Sequence, residues 1–180
     1  VGIVMGSDSD WAVMQAAAAV FAEKGFHGAS TQDIADRLEM KQGSLYYYFR
    51  SKEAALEAVC LFGAGESLAR LRQIIEADAT LPEKIAQVVH SQLHGLKTRC
   101  DARLVFVQQR RLLPAEPRER IRALGREYRA LLADLLCEAQ RHGEIDAGID
   151  AELAARALIG LCDSVAPWFR QDTSLDIDTI

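Results

Sequence analysis

Strands, long apolar runs and charge of one sign are what this 180-residue sequence has least of. Alternating apolar–polar patterns are absent beyond the first five residues, which argues against a sheet. The longest strongly apolar stretch, Ala16 to Ala22, is far too short to span a bilayer. With 21 Lys+Arg against 26 Asp+Glu, the formal charge of -5 excludes a polybasic nucleic-acid coat, and 49% hydrophobic residues exclude a disordered chain. No basic segment opens the chain, so no signal peptide is expected and a cytoplasmic location is. The first residue is Val, so a translational start upstream is expected.

Cysteines are few, at 60, 100, 137 and 162, with no CxxC pair among them. That excludes a zinc ribbon and a disulfide framework, and reads as buried reduced thiols. The four prolines lie near boundaries. Pro82 follows a Thr80–Glu83 capping box, and Pro114 and Pro117 separate two helical patterns. Neither a Ser-His-Asp set, a metal triad nor a nucleotide loop is evident, so no enzyme, cofactor or metal is expected. His90 and His94 have the i,i+4 spacing of a metal pair but point away from the Val89/Leu96 stripe, toward a solvated face. Arg118, Arg120, Arg122, Arg126 and Arg129 are interleaved with Glu116, Glu119 and Glu127, which favours ion pairs on a helix surface over anion binding.

What is present is helical periodicity. Apolar residues recur at helical spacing from Ile85 to Leu96, from Ile121 to Leu136 and from Leu153 to Trp168. His142-Gly143 stops the second of these, and Asp150 can cap the third. The fold is therefore all-α, and the chain stops at Ile180 where another helix is expected to begin.

Residues 10 to about 60 have short helices with specific turn chemistry. A helix from about Asp10 to Lys24 ends at Gly25. Ser30 opens a capping box with Asp33, whose helix buries Ile34, Ala35 and Leu38. After the turn Glu39-Met40-Lys41 comes a segment in which Leu45 and Phe49 pair at i,i+4, and Ser51 caps a longer helix presenting Leu56, Val59 and Cys60 inward. Two short helices joined by a tight turn make a helix-turn-helix. Gln42, Gly43, Ser44, Tyr47 and Tyr48 are left on its outer side, a set suited to a DNA groove. Gln can pair bidentately with adenine, Ser reaches base edges, Gly permits close backbone approach, and Lys52 can reach the DNA backbone. Three consecutive tyrosines cover about 200° of helix and cannot all face one core.

The stretch from Ala16 to Phe26, then Ser30 to Ala35, then Gly43 to Glu53 resembles the DNA-binding head of the TetR family of transcriptional regulators. The resemblance implies a helix-turn-helix head (10–55) and a helical bundle (56–180) for effector binding and dimerisation. It implies phosphate contacts from Thr31, Tyr47, Tyr48 and Lys52, base-edge contacts from Gln32, Lys41, Gln42, Gly43 and Ser44, and Tyr46 as half-buried support. The implied function is repression. A homodimer would bind a palindromic double-stranded operator through two recognition helices and release it on binding a small, apolar effector, with no membrane partner. The last two long helices would form the dimer interface. The effector's contacts are unassigned; Phe106, Gln109, Tyr128 and Trp168 could line its pocket, but each reads more readily as core than as a ligand contact.

Three features depart from the family pattern: Glu39 stands where members usually carry Gly, the head is close to neutral, and no basic arm precedes the first helix. Instead, VGIVMGSDSDWAVM resembles the first strand and phosphate loop of the carboxyaminoimidazole ribonucleotide mutase family, without the catalytic Ala-His-Arg segment or the remaining sheet. On the residues alone, Ser7 or Ser9 reads as an ordinary N-cap. Two alternatives to a repressor follow: a helical small-molecule-binding dimer without DNA binding, and such a mutase.

Overall fold

The computed structural model describes the backbone of residues 8–97 and 101–169 and the side chains of 11–93 and 102–165. The expected opening strand, the Ser7 or Ser9 cap, Cys100, the His94 and Trp168 side chains and any helix beyond 169 lie outside the described residues. Eight α-helices follow in order among those described: α1 (Asp8–Gly28), α2 (Thr31–Arg37), α3 (Gln42–Tyr48), α4 (Lys52–Glu76), α5 (Leu81–Lys97), α6 (Asp101–Gln109), α7 (Ala115–Arg141) and α8 (Ala151–Phe169). A 3-10 turn, Arg110–Leu112, separates α6 from α7.

The helix boundaries follow from local chemistry. Gly25 breaks α1 with φ 67°, a conformation costly to any residue with a Cβ. Thr80 and Glu83 form the carboxylate half of the expected box, both Thr80 N and Oγ1 donating to the Glu83 carboxylate at 2.8 Å. Ser51 Oγ accepts from Ala54 N at 3.1 Å, and Asp150 from Leu153 N at 3.0 Å. Gly143, at φ 74°, closes α7, with Glu144 N donating back to Ala139 O. Pro117 does not interrupt α7. It sits in the first turn, where a missing N–H leaves no intrahelical bond unmade.

The described residues form two compact units: 8–64 with 101–121, and 65–97 with 122–169. In the first, Phe21, Ile34, Leu45, Phe49, Leu56 and Val59 are fully buried in one core. There α1 packs on α2 and on α6, and α2 on α3. Gly63 of α4 is needed at the α6 contact, because a Cβ there would lie 2.8 Å from Ala102 O. Gln109, considered above as an effector contact, is buried and donates to Phe21 O at 2.8 Å, tying α6 to α1. Phe106 packs partly against the same core, with the Arg110 guanidinium 4.7 Å above its ring.

In the second unit, Leu71, Val88, Tyr128, Leu132, Leu136 and Ala155 are buried together, with α5 packed on α8. The arginine-rich stretch of α7 does form ion pairs, though partly to other helices: Arg120 bridges Glu116 and Glu57 within the first unit, and Arg72 pairs with Glu127 in the second. His90 is exposed, as its helical position predicts. Of the cysteines, Cys60 and Cys162 are buried, and burial pushes the Cys60 thiol up to about 12. Cys137 is exposed, correcting the expectation of a buried thiol; it lies about 100° around α7 from Leu136 and about 140° from Leu132, off the buried stripe.

Candidate nucleic-acid interface

The interface rests on a turn held from both ends. Ser30 Oγ accepts from Asp33 N at 3.1 Å, and the Asp33 carboxylate accepts from Ser30 N at 2.8 Å, so each satisfies a donor the helix start leaves free. Lys24 of α1 pairs with Asp33 as well. The Lys24 ammonium, then the Ser30 donors, hold the Asp33 carboxyl down to about 2. At the other end, Met40 N donates to Ala35 O and Glu39 N to Asp36 O, with Glu39 at φ 53° in the left-handed position. Leu38 and Met40 pack against the core from this turn, as their apolar character predicts.

Helix α3 is anchored by Leu45 and Phe49, both buried, which turns the rest of its surface outward. Lys41, Gly43, Ser44, Tyr46 and Tyr47 are exposed, Tyr47 at 89% of its full area. No carboxylate stands in the first turn of α3. Among the described residues nothing beyond the local helix lies within 4 Å of where a Cβ on Gly43 would sit, so packing there does not require glycine. Gln42 is half-buried, its Nε2 donating to Thr31 Oγ1 at 2.9 Å. Gln32 is exposed and donates to Asp36 at 2.5 Å.

Two residues sit differently from expectation. Tyr48, expected on the outer side, is half-buried and packs on the core, its ring edge-on to Tyr47 with centroids 5.5 Å apart. Tyr46, expected to be the supporting tyrosine, is 50% exposed. The reason lies in the helix turn: Tyr48 is only about 60° around the axis from Leu45, whereas Tyr46 is about 100° away. Lys52 is half-buried; its ammonium donates to Ala29 O at 3.0 Å and lies 4.5 Å over the Phe26 ring. In the free protein, Lys52 therefore fastens the start of α4 to the end of α1. Arg50, not among the expected contacts, is exposed two residues past the end of α3.

Two of the head's cations are already paired, Lys24 with Asp33 and Arg37 with Glu23 at 2.5 Å. Lys41 and Arg50 are exposed on either side of α3, with Glu39 exposed in the turn before it.

A family model described as bacterial regulatory proteins, tetR family, matches residues 13–59, and one described as tetracyclin repressor-like, C-terminal domain, matches 78–180. The chain belongs to the TetR family. The fatty acid metabolism regulator protein of Bacillus subtilis (strain 168) is 29% identical over 166 residues, covering 92% of this chain and 86% of that protein. Among solved structures, the Bacillus subtilis regulator FadR in complex with stearoyl-CoA superposes with a TM-score of 0.79 at 29% identity, covering 92% of this chain and 90% of that one. The fatty acid degradation regulator FadR of Bacillus halodurans superposes with a TM-score of 0.83 at 25% identity, covering 97% and 91%.

As a TetR-family member, this chain is a DNA-binding transcriptional regulator of the repressor type, not an enzyme. It acts on operator DNA as a dimer and responds to a small molecule. No helix among the described residues is long and apolar enough to cross a membrane. The family matches begin at residue 13, and nothing in them supports the mutase resemblance of the opening residues.

Proposed function

We propose that this regulator is a cytoplasmic repressor of genes for fatty acyl metabolism, which holds a palindromic operator until a fatty acyl-coenzyme A thioester binds the body. The operator surface comprises Thr31, Gln32, Lys41, Gln42, Gly43, Ser44 and Tyr47, with Arg50 and Tyr46 at its edge. Tyr48 and Lys52 reach phosphates only from positions they also hold by packing. Residues 10–55 are the DNA-binding part and 56–180 the effector and dimerisation part. The single observation that carries the DNA reading is Tyr47, an aromatic left 89% exposed on a helix whose anchors are fully buried.

The effector class is supported by the likeness over nine-tenths of the chain to a fatty acid regulator, and by the structure of a similar regulator in complex with stearoyl-CoA. Within the second unit, Gln92 is buried and donates to the Tyr128 hydroxyl, while its Oε1 has no partner among the described residues. A buried acceptor of that kind suits a ligand donor or a water beside the apolar residues around it. The dimer face falls on α8, where Leu153 and Leu161 are 64% and 66% exposed and share one side with Ala157, Gly160 and Ser164. Small residues between two leucines permit close approach of a second helix.

Operator release in the presence of acyl-coenzyme A thioesters of stepped chain length tests the effector class. Release that depends on chain length supports it. Release by steroid-ring thioesters alone, or by none, contradicts the fatty acyl assignment and leaves the DNA-binding reading intact.

A further inference from the structure

Thr31 and Gln42 stand on different helices of the head, yet their side chains meet. Gln42 Nε2 donates to Thr31 Oγ1 at 2.9 Å. Gln42 is the first residue of α3 and Thr31 the first of α2. A threonine hydroxyl has one proton and two lone pairs, so accepting from Gln42 leaves its own proton free to donate outward. A glutamine amide has two N–H donors and one carbonyl acceptor, and one of those donors is now occupied.

What remains on Gln42 is one donor beside one acceptor. Adenine presents the matching pair in the major groove, an acceptor at N7 and a donor at N6. Guanine presents two acceptors there, N7 and O6, and a glutamine with a single free N–H cannot satisfy both. We infer that Thr31 is a positioning residue that sets the operator preference through Gln42, selecting adenine over guanine at one position of each half-site. The same hydroxyl donates its proton to a phosphate, so the backbone contact and the base reader are linked through one oxygen. This rests on the DNA-binding reading and adds to it a base identity and the residue that enforces it.

The test is selection of bound duplexes from a random pool, using the full chain as wild type, T31V, T31S and Q42A. Wild type is expected to enrich adenine at one symmetric position in each half-site, and Q42A to lose that base while keeping the rest of the motif. T31V, which keeps the shape and removes the hydroxyl, is expected to flatten the same position roughly tenfold or more. T31S is expected to restore it, with the melting curves of all four chains showing that the head remains folded. If T31V weakens every sequence alike and the adenine preference survives, the hydroxyl only anchors phosphate and the inference is overturned. An unchanged motif in Q42A also overturns it. If wild type enriches no motif at all, the DNA-binding reading itself falls.

Discussion

Gly43 and Glu39 carry opposite messages about backbone and function. At Gly43 the surroundings are open and φ is not positive, so alanine fits the folded chain without contact. Gly43→Ala should leave stability unchanged or raise it by up to about 1 kcal/mol, because alanine is the better helix former. It should still weaken operator binding tenfold or more, since the methyl group stands where DNA must approach. Chemical denaturation and fluorescence anisotropy on one preparation check both halves. Glu39 is the reverse case, a side chain held at φ 53° where glycine would rest without strain. Glu39→Gly should stabilise the protein by about 1 kcal/mol, read from the same denaturation curves, with little effect on DNA affinity. The strain at Glu39 was foreseeable once the turn had been recognised. The exchange of roles between Tyr46 and Tyr48 was also within reach of a helical wheel centred on Leu45. The Lys52 contact with Ala29 O was not, because it joins residues 23 apart in sequence through the tertiary fold.

Among the elements, caps and turns were the most legible from sequence, because their hydrogen bonds are local. Ser30–Asp33, Ser51, Thr80–Glu83 and Asp150 all act where their residue types predict. The exposure of Cys137 was less legible, since an apolar flank in sequence does not say which side of α7 faces a neighbour. The Ser30–Asp33 cap has a measurable consequence at low pH. The Asp33 carboxyl sits at about 2 in the folded chain against an ordinary value of 3.8. A depressed carboxylate contributes stability that is present above its unfolded value and is lost as pH falls from about 4 through 2. Glu83 is lowered in the same sense by the Thr80 donors. Asp33→Asn should therefore reduce stability at neutral pH and flatten its fall between pH 4 and 2, seen by circular dichroism across that range.

For the whole molecule, the proposed dimer face is the side of α8 that the described residues leave exposed. Leu153 and Leu161 expose most of their apolar area on α8, an arrangement that a second copy would cover. Leu161→Glu should convert the dimer to monomer in analytical ultracentrifugation, while the helical signal stays close to wild type. Operator affinity should then fall by a hundredfold or more, because one head alone loses the second half-site. The all-α fold could be read from periodicity, and the helix-turn-helix from its short helices and turn residues. The packing of α6 against α1 could not, since no local pattern in 101–109 names its neighbour.

The central claim is that the outward face of α3 enters duplex grooves as half of a two-fold pair. Hydroxyl-radical footprinting of the wild-type dimer and of Tyr47→Ala on a selected operator tests it most directly. Two protected half-sites related by symmetry, with centres one helical turn apart (about 34–36 Å) or a multiple of that, and loss of both in the Tyr47→Ala chain at equal concentration, are the predicted result. A single protected patch, or a footprint that Tyr47→Ala leaves unchanged, would contradict the account.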